Sequence, residues 1–213
     1  GNMTVTVSMT GEADERRLLF RRGAVPGDYL CVSGHLGSSI AGLKVLQREK
    51  ARYISGKDPE GFRPNLEPYA PALEKHFMPK PRLDLVSIVT DHIRINAMID
   101  ISDGLASEVH HICRESGVGA AVYERNLPVV GTTQRIGSEF GDTPTDYALF
   151  GGEEYELLFT LSDGEYGKLE GLTDDVSVVG RIVEQEKGIT YVREDGTQVP
   201  LVAGGWDHFS HAG

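Results

Sequence analysis

Asp100-Ile101-Ser102-Asp103-Gly104 packs two carboxylates and a hydroxyl into five residues, between an apolar run and a stretch with helical spacing. Ahead of it, residues 97–101 read as a buried strand, whose period of two places Asp100 and Ser102 on one side and Ile101 on the other. Asp103-Gly104 then turns the chain. Behind the turn, Leu105, Val109, Ile112 and Cys113 recur at helical spacing, and Gly117 stops the helix. Hard oxygens beside the free N–H groups of a helix start suit a magnesium ion carrying phosphate. The same residues also suit a plain helix entry, with Ser102 or Asp103 as the cap and Asp100 in solvent.

Working outward, strand and helix signals alternate in both directions. Upstream, residues 4–8 alternate as a strand, and residues 29–33 read as a strand entering the glycine-rich turn 34–37, followed by a helix to about Lys50. That turn matches neither the dinucleotide fingerprint nor the phosphate loop ending in lysine, so it reads as a tight packing turn. Pro68 and Pro71 break a helical segment over residues 66–77, and residues 84–93 form a better helix with an acid in its first turn. Downstream, residues 118–123, 155–161, 176–183 and 189–192 read as strands, with a helix over 164–172 and a hairpin signal at Asp195-Gly196. Residues 132–143 read as loop. These signals define an α+β domain, a mixed β-sheet flanked by helices.

A second polar motif, Gly151-Gly152-Glu153-Glu154-Tyr155-Glu156, precedes the apolar run Leu157-Leu158-Phe159. The glycine pair allows close approach of the backbone, and three acids beside a core strand need partners or a task. The histidines show no metal pattern: His110 and His111 are adjacent and point apart, and no acid or cysteine completes a ligand set around them. Cys31 and Cys113 sit in apolar patterns without zinc spacing and read as reduced, buried thiols of a cytoplasmic protein.

Over 213 residues, the net charge of -11 argues against general binding to nucleic acid or an anionic membrane, because neither polyanion is attracted to the whole surface. A small anionic ligand therefore needs local help from cations or metal. No apolar run reaches the roughly 18 residues of a membrane span, and the opening residues carry no signal-peptide pattern.

Three stretches together carry a resemblance: Arg21-Arg22-Gly23-Ala24-Val25-Pro26-Gly27-Asp28, Asp100-Ile101-Ser102-Asp103-Gly104-Leu105 and Gly151-Gly152-Glu153-Glu154-Tyr155-Glu156-Leu157. With Pro79-Lys80-Pro81-Arg82 and Gly205-Trp206-Asp207-His208-Phe209 they resemble the thiamine-monophosphate kinase family. That family belongs to the superfamily of aminoimidazole ribonucleotide synthetase. The resemblance implies transfer of the ATP γ-phosphoryl group to thiamine monophosphate, with magnesium, in a homodimer. It assigns Asp100 and Asp103 to magnesium, Arg21 and Ser102 to ATP, and Glu153 and Trp206 to thiamine monophosphate. An aromatic face at Trp206 has a physical task in stacking on a cationic thiazolium. Two departures stand out: Arg22 where the family often has serine, which leaves the phosphate contact open between Arg21 and Arg22, and Glu154 where it commonly has aspartate. Residues 1–10 resemble the last strand of an N-terminal domain and 11–213 the C-terminal domain, so the chain reads as a C-terminal portion, inactive without the rest.

Overall fold

The computed structural model describes residues 3–56 and 61–204. Seven strands form one mixed sheet in the order β2-β4-β1-β5-β3-β6-β7. They are β1 (Tyr29–Ser33), β2 (Ala97–Asp100), β3 (Gly119–Tyr123), β4 (Leu157–Leu161), β5 (Val176–Val183), β6 (Ile189–Val192) and β7 (Gln198–Pro200). The β3–β6 pair is parallel and all other neighbours are antiparallel. The mixed sheet flanked by helices agrees with the fold read from the sequence.

Period-2 side chains divide the core between the two faces. Leu30, Val32, Ile99 and Leu158 pack on one face with Leu105, Val109 and Ile112 of helix α4 (Leu105–Ser116). Cys31, Phe159 and Leu161 pack on the other with Leu85 and Val89 of α3 (Leu83–His92) and Leu169 of α7 (Asp163–Leu169). A third cluster joins α1 (Ser38–Ser55), α2 (Ala70–Phe77), α5 (Gly131–Phe140) and α6 (Pro144–Phe150) through Ala41, Val45, Ala72, Ile136 and Tyr147. Both cysteines are free and buried, and burial pushes each thiol up to about 12.

Two readings need correction. Residues 132–143 are not loop: α5 occupies most of them, with Thr133, Ile136 and Gly137 buried at helical spacing and Gly141 closing the helix in the left-handed region at φ 71°. Packing against α1 overrides a polar local composition. Residues 4–8 form no strand, because no neighbouring strand accepts them, and Met3, Val5, Val7 and Met9 are exposed. The helix after residues 34–37 also runs five residues past Lys50, to Ser55. No helix among the described residues is long and apolar enough to cross a membrane.

Candidate functional site

The sheet register brings the motifs to one end of the molecule. Asp100, the last residue of β2, pairs with Leu157 at the start of β4, and Ser33 at the end of β1 lies beside them, its Oγ accepting the Leu157 N–H at 2.8 Å. Three backbone bonds then dock the second motif onto the first. Ile101 N–H donates to Glu156 O at 2.7 Å, Tyr155 N–H to Ile101 O at 2.8 Å, and Glu153 N–H to Ser102 O at 2.8 Å. Gly152 is required here, since a Cβ would stand 2.6 Å from Ser102 O.

The aspartate turn is held from below by Glu108, in the first turn of α4. Its Oε1 accepts the Asp103 N–H at 3.1 Å and, at 3.4 Å, the Ser102 N–H and hydroxyl. Its Oε2 is buried and has no hydrogen-bond partner among the described residues, and burial raises the carboxyl's pKa. Gly104 adopts φ 113° and presses against Leu149 O, which leaves no space for a side chain. Neither Ser102 nor Asp103 caps the helix through its side chain, so the two are free of the task that the simpler reading gave them. Asp100 is exposed and Asp103 half-buried.

Arg21 reaches the same end of the sheet. Phe20 O accepts the Met98 N–H at 2.9 Å, laying residues 19–22 along the free edge of β2. Arg21, Arg22, Asp100, Glu115 and Leu157 line a cleft of about 570 Å³ there. Arg22 stacks over Phe20 at 4.9 Å, whereas the charges of Arg21 and Asp103 both act on His111, in opposite directions. Both arginines line the cleft with Asp100.

The structure therefore gathers Arg21, Asp100, Ser102, Asp103 and Glu153, while Trp206 lies outside the described residues. His110 is structural, its Nε2 bonded to Leu201 O at 2.7 Å, and His111 pairs with Arg114. Among the described residues, no group of three or more His, Cys, Asp or Glu is arranged to hold a metal. Two carboxylates on one turn still match magnesium, which keeps several waters and takes one or two carboxylates plus substrate phosphate.

Sequence reasoning missed what Glu154 and Glu156 do. Glu154 is fully buried and plugs the start of α1, its Oε1 accepting the Ser39 N–H at 2.9 Å. The glycine-rich turn thus serves packing, and a protein carboxylate occupies the place a phosphate would need. Glu156 sits between Lys75, Arg82 and the Ser33 hydroxyl. These cations border a larger depression of about 690 Å³ between α2 and α3, but Arg82 is committed to Glu156 and Asp175, and Lys75 to Glu156.

Burial pushes the Glu154 carboxyl up to about 7 from an ordinary 4.5, outweighing the Ser39 N–H and the charge of Lys75. The folded chain then binds the proton more tightly than the unfolded chain, so stability falls as pH rises between about 4.5 and 7. We expect a decrease on the order of 2–4 kcal/mol from this residue across that window. Urea unfolding from pH 4.5 to 8 measures it, and Glu154→Gln should flatten this part of the profile. An equal slope in the variant would assign the effect elsewhere.

Residues 25–193 match the family described as AIR synthase related protein, C-terminal domain. The chain belongs to that family. Within it, the chain is 35% identical over 206 residues to thiamine-monophosphate kinase of Aquifex aeolicus (strain VF5), covering 96% of this chain and 58% of that protein. The kinase of Escherichia coli (strain K12) is 31% identical over 214 residues, covering 99% of this chain and 61% of that protein. The chain thus spans less than two thirds of the curated relatives it matches. Among solved structures, AaThiL complexed with AMPPCP and TMP superposes with a TM-score of 0.71 at 34% identity, covering 90% of this chain and 54% of that one. Escherichia coli HypE, at 19% identity and a TM-score of 0.64 over 90% of this chain and 54% of that one, shares the fold.

Proposed function

We propose that this chain is the C-terminal portion of a thiamine-monophosphate kinase, which transfers the γ-phosphoryl group of ATP to thiamine monophosphate. The observation that carries the reading is the docking of Glu153, Tyr155 and Glu156 onto Ile101 and Ser102, which sets Glu153 beside the aspartate turn at the end of the sheet that residues 19–22 reach along the edge of β2. Likeness to AaThiL complexed with AMPPCP and TMP, and to the Aquifex kinase, supports it.

The attacking oxygen of thiamine monophosphate is already anionic, so the reaction needs positioning and charge neutralisation more than a strong base. Arg21, on the open edge of β2, steadies the polyphosphate of ATP, and the Ser102 hydroxyl contacts it from the turn. Glu153 faces the acceptor, where a carboxylate favours the cationic thiazolium, and Trp206 gives that ring an aromatic face. Asp100 and Asp103 would hold magnesium, which would supply positive charge against that of the phosphates. Glu108 keeps the aspartate turn in place through two backbone N–H groups.

The same proposal takes residues 1–10 as belonging to an N-terminal domain whose sheet would complete them as its last strand, 11–213 as the C-terminal domain, and the complete enzyme as a cytoplasmic homodimer. An acceptor screen on the complete enzyme tests the function. Thiamine monophosphate should exceed acceptors of other chemical classes, such as an amide, selenide or a carbamoyl group, in kcat/KM by at least about 10³-fold, since buried polar groups left unpaired reject the wrong acceptor by 10⁴ or more. Preference for any of the others would replace this acceptor within the same fold.

A further inference from the structure

Among the described residues, Glu153 and Tyr155 are the non-glycine residues with positive φ, at 62° and 53°. The left-handed region is unfavourable for a side chain as bulky as tyrosine, and it persists where the surroundings enforce it. Here they do. The N–H groups of Glu153 and Tyr155 are pinned to Ser102 O and Ile101 O, each at 2.8 Å. Between and after them, Glu154 is locked under α1 and Glu156 is clamped by Lys75, Arg82 and Ser33. The two buried acids anchor the segment, and the two strained residues stay on its open side, Glu153 exposed and Tyr155 half-buried. There the Tyr155 hydroxyl donates to Glu153 Oε2 at 2.9 Å. That hydrogen bond raises the hydroxyl's pKa, with burial and the charges of Glu153, Asp100 and Asp103 adding to it.

An exposed carboxylate without a partner samples several rotamers. The hydroxyl prevents this, because it neutralises part of the charge on one oxygen and fixes the direction of the other. We propose that Tyr155 is a positioning residue for the acceptor: its hydroxyl aims the Glu153 carboxylate at the cationic ring and so sets the preference for a charged over a neutral acceptor. The proposal rests on the assignment of Glu153 to the acceptor made above.

A double-mutant cycle in the complete kinase tests it, with Tyr155→Phe, Glu153→Gln and the pair. Tyr155→Phe should raise KM for thiamine monophosphate about three- to tenfold, the range for losing one partly exposed hydrogen bond to a charged group, with KM for ATP and kcat unchanged. In the Glu153→Gln background the same change should add nothing. For an acceptor analogue with a neutral ring in place of the thiazolium, Tyr155→Phe should leave KM unaltered. Three results overturn the proposal: additive effects, an equal rise in KM for the neutral analogue, or a Phe variant that fails to fold. An unaffected Tyr155→Phe alongside a weakened Glu153→Gln also removes the positioning role while sparing Glu153. A Glu153→Gln variant with unchanged KM removes the Glu153 assignment itself.

Discussion

Under the proposed function, Asp100→Asn and Asp103→Asn should each lower kcat of the complete kinase by about 10²–10³-fold, because losing one ligand to a magnesium-bound polyphosphate would forfeit several kcal/mol of charge stabilisation in the transition state. The magnesium concentration needed for half-maximal rate should rise with it. Asp100 is exposed, and neither aspartate side chain caps α4, so thermal unfolding should move by no more than a few degrees. Unchanged turnover across a magnesium titration in both variants would return the motif to solvent. A fall in melting temperature that tracks the fall in rate would make its role structural. Glu108→Gln is the contrasting substitution, since it loosens the turn from beneath and should lower stability as well as rate.

The second large effect concerns the chain by itself. Purified residues 1–213 should turn over at least about 10³-fold more slowly than the complete enzyme, by the same conversion of missing charge stabilisation into rate. Bringing ATP and a second phosphate together concentrates negative charge, and the cleft beside Asp100 offers Arg21 and Arg22 on a chain of net charge -11. The relatives continue beyond the matched portion, which is where the remaining neutralising groups belong under the proposed function. Steady-state coupled assays of both proteins at equal concentration decide it. Comparable turnover would mean that the chain carries a whole active site.

Much of this architecture was legible in the sequence because its causes are local. Apolar runs bounded by glycine gave β1, β5 and β6, and the strand-turn-helix at Asp100 to Gly117 followed from spacing and a helix stop. The hairpin between β6 and β7 turns at Asp195-Gly196, with Gly196 at φ 84°. Features that depend on distant partners were not legible. Residues 131–140 have little apolar character of their own, and they are helical because Ile136 packs into a cluster assembled from α1, α2 and α6. Residues 4–8 show the reverse, with a strand pattern and no neighbour to satisfy it.

The site divides along the same line. Asp100, Ser102, Asp103 and Glu153 were singled out by residue type and motif, but their meeting depends on the bonds from residues 153–156 to Ile101 and Ser102. Glu108 announced itself only as an acid in a first helical turn, a signal that fits dozens of surface glutamates. Glu154 and Glu156 read as acids that need partners beside a core strand, but the partners were not legible, because α1, Lys75 and Arg82 come to them from elsewhere in the chain. Positive φ at Tyr155 had no local signal at all, since tyrosine is an unfavourable choice for that conformation.

Phosphorus NMR of the complete enzyme with ATP, magnesium and thiamine monophosphate tests the central claim most directly. The account predicts that the monophosphate resonance gives way to the coupled pair of a diphosphate ester while ADP accumulates in equal amount, with no rise in inorganic phosphate. ATP consumed to ADP and inorganic phosphate, with the thiamine monophosphate signal intact, would contradict it.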